Sequence, residues 1–291
     1  MSKVRIVFDG DDKEVVTDSE TSLLDASLEE GIQHVHMCNG HGRCSTCRVL
    51  VLEGEESLTP PTEAEEKMIS NRNFCQMVRL ACQTKPNGDA KVRRLVRDEL
   101  DMTLYAQADG ARETEMAILF LDIRSFTPFS ERQYPYDVVH ILNRFFYTMC
   151  APVYEHHGTI DKYLGDGFMA LFGGKGCAKR AVKAAFQMLD KLPDFNEYLK
   201  LAYDETFVVG VGIHLGVVVK GNLGHPNQRQ TTVIGDTVNM ASRVESATKD
   251  IGVPFLVSEE VADRLKGLHW PKHTMTIKGK SGEYTLYEPQ P

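Results

Sequence analysis

The sequence lacks the features that would place the protein in a membrane or on nucleic acid. None of its apolar runs approaches the roughly 18 residues that a bilayer-spanning segment needs. Acidic residues outnumber basic ones, 41 against 33, so the formal net charge is −8 at pH 7. An acidic chain is poorly suited to bind nucleic acid or an anionic membrane surface. We therefore expect neither partner, and any chemistry on phosphate groups must depend on a few placed cations.

The first residues do not resemble a signal peptide. The segment MSKVRIVFDGDD alternates polar and apolar residues and then turns acidic, a pattern typical of a strand at the edge of a sheet. We therefore expect a cytoplasmic protein. The seven cysteines are an odd number, and a reducing compartment disfavours disulfides between them. Ligation of a metal or an iron–sulfur cluster is the better explanation for those that are regularly spaced.

The pattern of polar and apolar residues changes along the chain. Residues 1–96 contain short alternating segments, many turns and three clustered cysteines. Residues 97–115 form a charged connector, and strands and helices alternate from residue 116 onwards. These patterns predict an α+β protein with one domain at 1–96. A second domain, an α/β sandwich with helices packed on a mixed sheet, is predicted at 116–291.

The second domain has three clear helical patterns and one hairpin pattern. Apolar residues recur at helical spacing from Tyr134 to His157. We predict further helices from Ala178 to Leu192, ended by Pro193, and from Asp236 to Lys249. Residues 159–172 predict two strands joined by the turn sequence GDG, which is typical of a tight hairpin.

Four cysteines follow a spacing that suits an iron–sulfur cluster. The loop MCNGHGRCSTC holds three of them, and RLACQTK holds the fourth after 34 intervening residues. Four thiolates can hold a two-iron cluster, and Gly40 and Gly42 let the loop curl closely enough to supply the backbone N–H donors that its sulfides need. A structural zinc site is the alternative, because Cys44-x2-Cys47 alone would suit zinc. Colour distinguishes the two, since an iron–sulfur protein is red-brown and a zinc protein is colourless.

Residues from about 3 to 94 resemble a [2Fe–2S] ferredoxin. The five residues between the first two cysteines are similar to the adrenodoxin type. The resemblance implies a β-grasp, ferredoxin-like domain that holds one [2Fe–2S] cluster per chain. The ligands that it implies are Cys38, Cys44, Cys47 and Cys82. An electron-donor protein is then a candidate partner.

Two aspartates follow apolar segments of the second domain. Asp122 ends the apolar run AILFLD, and Asp166 lies in the predicted hairpin turn. A charge at the end of a buried strand is costly unless it is paired or bound to metal. The pair therefore indicates a site for Mg²⁺, which keeps some waters and takes further ligands from substrate phosphates. The alternative is an exposed strand-end Asp and an ordinary Asp-Gly turn.

A third segment, TTVIGDTVNMASRVE, predicts a strand that runs into a helix. Asn239 and Arg243 are four residues apart, so they share one face of that helix. Two interpretations are open. The face is simply solvated, or its amide orients a sugar and its guanidinium stabilises phosphate charge.

Three motifs, FLDIRSFT, DKYLGDGFMALFG and TTVIGDTVNMASR, resemble those of the class III nucleotidyl cyclases over about residues 113–288. The resemblance implies two Mg²⁺ or Mn²⁺ ions per active site, bound by Asp122, Asp166 and the carbonyl of Ile123. It further implies that Asn239 orients the ribose and that Arg243 stabilises the transition state. The substrate-binding residues that it implies are Lys162, Thr232, Arg229 and Lys278, with Lys280 as the alternative to Lys278.

The implied reaction is that of an adenylate cyclase, which converts ATP to 3′,5′-cyclic AMP and pyrophosphate by two-metal catalysis. Lys162 can only donate, which suits N1 of adenine, and Thr232 can accept from N6. Guanine presents the reverse pattern, and an unmet partner costs about 1–3 kcal/mol, so we expect ATP to be preferred over GTP. The resemblance also implies a homodimer with shared active sites. In having threonine at position 232, the sequence resembles a bacterial subgroup of the family that is often associated with a response to bicarbonate.

The ferredoxin-like domain has no chemical role in cyclisation, which moves no electrons. We expect it to regulate the cyclase through the redox state or integrity of its cluster, acting through the connector at 97–115. Alternatively, it only aids dimerisation or stability. Three further alternatives concern the whole chain: a guanylate cyclase, a catalytically silent nucleotide-binding redox regulator, or an electron carrier whose cyclase half docks a partner.

Overall fold

The computed structural model describes residues 3–72, 74–106, 112–225, 227–266, 269–276 and 282–291. The chain divides into two compact units, Met1–Arg112 and Glu113–Pro291. The charged segment at 97–115 spans this division.

The described residues of the first unit form a five-stranded mixed sheet in the order β2-β1-β5-β3-β4. Its strands are β1 (Val4–Phe8), β2 (Lys13–Thr17), β3 (Arg48–Glu53), β4 (Val78–Leu80) and β5 (Ala90–Arg94). β1 runs parallel to β5 and antiparallel to β2. The helices are α1 (Leu23–Glu29), α2 (Glu63–Arg72) and α3 (Glu99–Ala106).

The core of the first unit follows from the alternation of its strands. In β1 the side chains of Val4, Ile6 and Phe8 are buried, while those between them face outward. Helix α1 covers this face with Leu23 and Leu24. These elements agree with the α+β class that the sequence predicts.

The second unit is built on one mixed sheet, which in the described residues has eight strands. The order is β12-β13-β11-β9-β6-β8-β7, and β10 pairs with β9. The strands are β6 (Arg112–Ile123), β7 (Thr159–Leu164), β8 (Gly167–Gly173), β9 (Val209–Leu223), β10 (Gln230–Ile234), β11 (Phe255–Ser258), β12 (Lys272–Thr276) and β13 (Glu283–Tyr287). The helices are α4 (Phe126–Arg132), α5 (Pro135–Glu155), α6 (Cys177–Tyr203), α7 (Asp236–Ile251) and α8 (Glu259–Arg264).

Both faces of the central strands are buried, which explains the continuous apolar run in β6. Leu119 and Leu121 pack with α5 and α6 on one face. Ile118, which directly precedes Leu119 and therefore lies on the opposite face, packs with Ala241 of α7. Helices therefore cover the sheet on both sides, as the α/β sandwich prediction requires. In the described residues, no helix has both the length and the apolar character that crossing a bilayer demands.

The prediction that Pro193 ends a helix is wrong. Helix α6 continues through Pro193 to Tyr203. A proline inside a helix costs about 3 kcal/mol. Phe195 and Leu199 lie beyond it and are 4% and 0% exposed, and burial of each such side chain contributes about 1.5–3 kcal/mol. Packing on the sheet therefore outweighs the local cost of the proline.

Glycines in β9 let helix α7 lie directly on the strand. A Cβ at Gly212 would stand 2.1 Å from the backbone nitrogen of Glu245, and one at Gly216 would stand 2.7 Å from Thr237 Oγ1. Neither distance is tolerable for non-bonded atoms, so the close approach of helix and strand depends on these glycines.

We expect Gly212→Ala to lower the thermal midpoint of the second unit by about 5–10 °C, because its methyl group meets helix backbone that cannot move independently. Gly173→Ala is the matched control, since a Cβ there would meet the flexible end of Met116 at 3.1 Å. Differential scanning calorimetry of both variants checks this. Equal thermal midpoints for Gly212→Ala and Gly173→Ala would show that α7 does not pack tightly against β9.

Candidate functional site

Asp122 and Asp166 lie together at one end of the sheet. Asp122 is the penultimate residue of β6, and Asp166 is in the turn between β7 and β8. Leu121 of β6 pairs with Phe168 of β8, so the strand end and the turn meet. The structure thus brings together the two carboxylates that the sequence singled out.

The two carboxyls are half-buried and repel one another. Burial raises the pKa of both above the ordinary value for Asp, and the charge of Asp166 raises that of Asp122 further. The Arg124 guanidinium and the Ile123 N–H act in the opposite direction on Asp122. Two acids held in this way favour a cation between them, so the donor set fits a divalent metal ion.

Gly167 makes this arrangement possible. A Cβ on this residue would lie 2.6 Å from Asp122 Oδ1 and 2.5 Å from the carbonyl oxygen of Leu121. Any larger residue would displace the Asp122 carboxylate. The glycine that follows Asp166 therefore has a packing role.

Arg124 and Glu245 form a second charged pair beside the carboxylates, which the sequence reasoning missed. Arg124 Nη1 lies 3.4 Å from Glu245 Oε1. Burial raises the pKa of Glu245 to about 7; Arg124 opposes this rise, and the charge of Asp122 adds to it. Both residues belong to motifs already recognised, FLDIRSFT and NMASRVE. They link the end of β6 to helix α7.

Helix α7 carries Glu245 on one face and the predicted site residues Asn239 and Arg243 on another. At 3.6 residues per turn, Glu245 projects roughly 200° around the axis from Arg243 and therefore toward the opposite side. Glu245 faces the sheet, whereas Asn239 is exposed. Arg243 Nη1 is buried and, among the described residues, donates to no partner. An unpaired buried guanidinium nitrogen suits an anionic ligand.

Lys162 and Thr232 also meet in the structure. Lys162 Nζ in β7 donates to Thr232 Oγ1 in β10 at 2.8 Å. Thr232 is 5% exposed. Within the described residues, no hydrogen bond or ion pair joins these two side chains to the Asp122 and Asp166 carboxylates.

The remaining predicted site residues are only partly placed. Ile123 is the buried last residue of β6, and Arg229 is exposed just before β10. Lys278 and Lys280 lie outside the described residues. Their predicted contact with a triphosphate therefore stays a prediction.

In the first unit the four predicted cysteine ligands come together as two pairs. Cys47 Sγ lies 3.4 Å from Cys82 Sγ, and the thiols of Cys38 and Cys44 also contact each other. Nowhere in the described ranges do three His, Cys, Asp or Glu side chains converge as the ligands of one metal ion would. Two thiol pairs fit a two-iron cluster, in which each iron takes two protein ligands.

Backbone N–H groups surround these sulfur atoms. Arg43 and Cys44 donate to Cys38, Thr46 donates to Cys44, and Gly42 donates to Cys82. The left-handed backbone of Gly42, with φ +64°, allows the loop to turn inward. Such donors stabilise negatively charged sulfur, so the loop fits an anionic cluster.

The pKa of the Cys82 thiol lies well below the ordinary value for cysteine. The Cys47 thiol donates to its sulfur, which lowers the pKa of Cys82 to about 6 and raises that of Cys47. Gln83 Nε2 lies 3.5 Å from the same sulfur and donates to the carbonyl of Gly40 at 3.0 Å. Gln83 thereby ties the fourth cysteine to the loop that carries the other three.

A buried ion pair, also missed from the sequence, fixes the segment around Cys82. Glu65 Oε1 accepts hydrogen bonds from Arg79 Nε, the Leu80 backbone N–H and Thr84 Oγ1, each at 3.0 Å. Glu65 and Arg79 side chains are 0% and 4% exposed. Leu80 and Thr84 lie two residues on either side of Cys82, so this carboxylate holds the cysteine in position.

We expect Glu65→Gln to destabilise the first unit by about 3 kcal/mol, because it leaves the Arg79 guanidinium buried without its counter-charge. The exposed neighbour provides the control Glu66→Gln. Hydrogen exchange of the amides in β3, β4 and β5, measured by mass spectrometry, reports on this unit alone. Equal protection in both variants would show that the ion pair does not support the cysteine segment.

Comparison with known protein families matches both units. Residues 109–287 match the family described as "Adenylate and Guanylate cyclase catalytic domain". Residues 6–87 match the family described as "2Fe-2S iron-sulfur cluster binding domain". Both resemblances drawn from the sequence are confirmed, in the same order along the chain.

The chain is also similar to individual adenylate and guanylyl cyclases. An adenylate cyclase of Anabaena cylindrica is 39% identical over 191 residues, which are 62% of this chain and 38% of that protein. The chain therefore spans well under half the length of that relative. The crystal structure of the guanylyl cyclase Cya2 superposes with a TM-score of 0.57 at 30% identity, covering 61% of this chain and 92% of Cya2. The adenylyl cyclase CyaB from P. aeruginosa gives a TM-score of 0.57 at 27% identity, covering 61% and 94%.

Proposed function

We propose that this chain, which belongs to the adenylate and guanylate cyclase catalytic domain family, is an adenylate cyclase that converts ATP to 3′,5′-cyclic AMP and pyrophosphate. The observation that carries the proposal is the meeting of Asp122 and Asp166, both with raised pKa, at one end of the sheet. The similarity to an adenylate cyclase of Anabaena cylindrica supports it.

Asp122, Asp166 and the carbonyl of Ile123 are the groups that would hold Mg²⁺ or Mn²⁺. Two such ions would lower the pKa of the ribose 3′-hydroxyl and neutralise charge on the phosphate oxygens. Arg243, whose Nη1 has no partner among the described residues, would balance the charge that grows on the α-phosphate. Asn239, exposed on the same helix face, would orient the ribose.

Base selection rests on Lys162 and Thr232. The lysine ammonium donates to N1 of adenine, and the threonine oxygen accepts from N6. A guanylate cyclase is the second candidate, because the chain is 30% identical to the guanylyl cyclase Cya2. Against it, Lys162 would face the N1–H donor of guanine and leave that donor unmet.

The two faces of α7 support active sites shared between two chains. Glu245 lies close enough to Asp122 and Asp166 for their charges to raise its pKa, whereas Asn239 and Arg243 project from another face of the helix, on which Asn239 is exposed. In a two-fold homodimer, Asn239 and Arg243 of one chain would complete the site whose metal ligands come from the other chain. Each chain would then contribute to two sites.

We expect Asp122→Ala and Arg243→Ala to be inactive alone, with losses of at least about 10²-fold, and to recover activity when mixed. Only a mixed dimer contains one site with every residue intact. The matched control pairs Asp122→Ala with Asp166→Ala, which lie on the same side of each site and should show no recovery. Cyclic AMP formation from Mn-ATP measures both. Wild-type protein that forms no cyclic AMP, or heterodimers without recovery, would contradict the proposal.

We further propose that a [2Fe–2S] cluster in the first unit regulates the cyclase, with a partner protein supplying its electrons. A contact in the first unit supports this. Tyr105 Oη of α3 lies 3.0 Å from Nδ1 of His36, two residues before Cys38, and the two rings are 5.4 Å apart. Helix α3 ends at Ala106, shortly before the second unit begins. A change in the cysteine loop would therefore act on α3, which precedes the second unit in the chain.

We expect turnover of the oxidised and the dithionite-reduced protein to differ by about fivefold or more, a typical coupling between sites. Tyr105→Phe should reduce this difference, because it removes only the hydroxyl that contacts His36. Tyr147→Phe, on an exposed face of α5, is the control. The assay is anaerobic cyclic AMP formation, with iron and sulfide content measured on each sample. Equal turnover of both wild-type forms would remove the regulatory role.

A further inference from the structure

Asp161 lies beside the predicted purine contacts because of an irregularity in β7. The pairing of β7 with β8 shifts between Ile160 and Lys162, so Asp161 is an extra residue in the strand. A bulge of this kind breaks the alternation of side chains. Asp161 and Lys162, although consecutive, consequently both reach Thr232.

Three polar contacts join these side chains. Thr232 Oγ1 donates to Asp161 Oδ2 at 2.9 Å, and Lys162 Nζ donates to Thr232 Oγ1 at 2.8 Å. Lys162 Nζ also lies 3.1 Å from Asp161 Oδ2. The Asp161 side chain is 3% exposed, so solvent water has little access to compete for these bonds. The amide of Gln230, in β10 with Thr232, donates to the Asp161 carbonyl at 3.3 Å.

These contacts determine what each side chain can still offer to a ligand. A threonine hydroxyl has one proton and two lone pairs. In Thr232 the proton is directed at Asp161 and one lone pair accepts from Lys162, so one lone pair remains. Two of the three Lys162 protons are directed at Thr232 and Asp161, and one remains. The group thus presents one donor from Lys162 and one acceptor from Thr232.

We propose that Asp161 is a positioning residue that sets base specificity: by accepting the hydroxyl proton of Thr232, it fixes Thr232 as a hydrogen-bond acceptor. This inference rests on the proposed function. A free threonine hydroxyl is amphoteric, so it can accept from N6 of adenine or turn and donate to O6 of guanine. With its proton held by a buried carboxylate, Thr232 has no proton for O6. The Asp161 carboxylate therefore prevents the hydrogen bond to O6 of guanine that a free Thr232 hydroxyl would donate.

The test compares two substitutions by the ratio of kcat/KM for ATP to that for GTP, measured on the full chain. Asp161→Ala removes the acceptor and releases the hydroxyl, so we expect the ratio to fall about tenfold, the effect of one hydrogen bond. Asp161→Asn keeps an oxygen that accepts from both neighbours and should hold the ratio within about threefold. Asp161→Leu fills the buried volume without providing an acceptor. It should lower the ratio by the same amount and replaces Asp161→Ala if the alanine variant does not fold.

A second background separates this role from a structural one. In Thr232→Val the hydroxyl is absent, so adding Asp161→Ala should leave the ratio of that background unchanged. A fall as large as in the wild-type background would overturn the inference, as would an unchanged ratio in both Asp161→Ala and Asp161→Leu. Wild-type protein that cyclises neither nucleotide would instead overturn the proposed function.

Discussion

Repulsion between two carboxylates is the interaction on which the second unit's site depends. Asp122 and Asp166 are brought together by the pairing of β6 with β8, and both are partly removed from water, so each holds its proton more tightly than an ordinary Asp. The sheet supplies the energy that keeps them close, since both faces of β6 are packed against helices. Gly167 leaves the space that the Asp122 carboxylate occupies. In the proposed function, a divalent cation would convert this unfavourable arrangement into a binding site.

Helix α7 connects the carboxylates to the rest of the site. The close packing of α7 on β9, which depends on glycines of that strand, places Glu245 beside Arg124, near the end of β6 that carries Asp122. On another face of the same helix, Asn239 is exposed and Arg243 is half-buried, with its Nη1 unpaired among the described residues. In the proposed homodimer, a second chain would use these two side chains. A rigid helix fixes the relation between the two faces, so any shift of α7 would act on both active sites of a dimer. This is one physical route by which a regulatory unit could change turnover.

The sequence predicted the carboxylate pair, the four cysteines and most elements, because each leaves a local pattern: an apolar run that ends in Asp, a Gly-Asp-Gly turn, a Cys spacing. The residues that it missed act through tertiary contacts. Asp161 faces Thr232 only because a bulge breaks the alternation of β7. In the sequence, Glu65 is indistinguishable from other acidic residues near the start of a helix. Its role follows from the hydrogen bonds that Arg79, Leu80 and Thr84 donate to it in the folded chain. The local rule that proline ends helices failed at Pro193, where buried residues beyond it hold α6 together.

Counting bound Mn²⁺ by electron paramagnetic resonance, with an ATP analogue that cannot cyclise, tests the role of the carboxylates most directly. The wild-type protein should bind two ions per active site. A chain carrying both Asp122→Asn and Asp166→Asn should retain at most the single ion that the nucleotide itself carries. Two ions per site in both proteins would contradict the claim that these aspartates gather the cations.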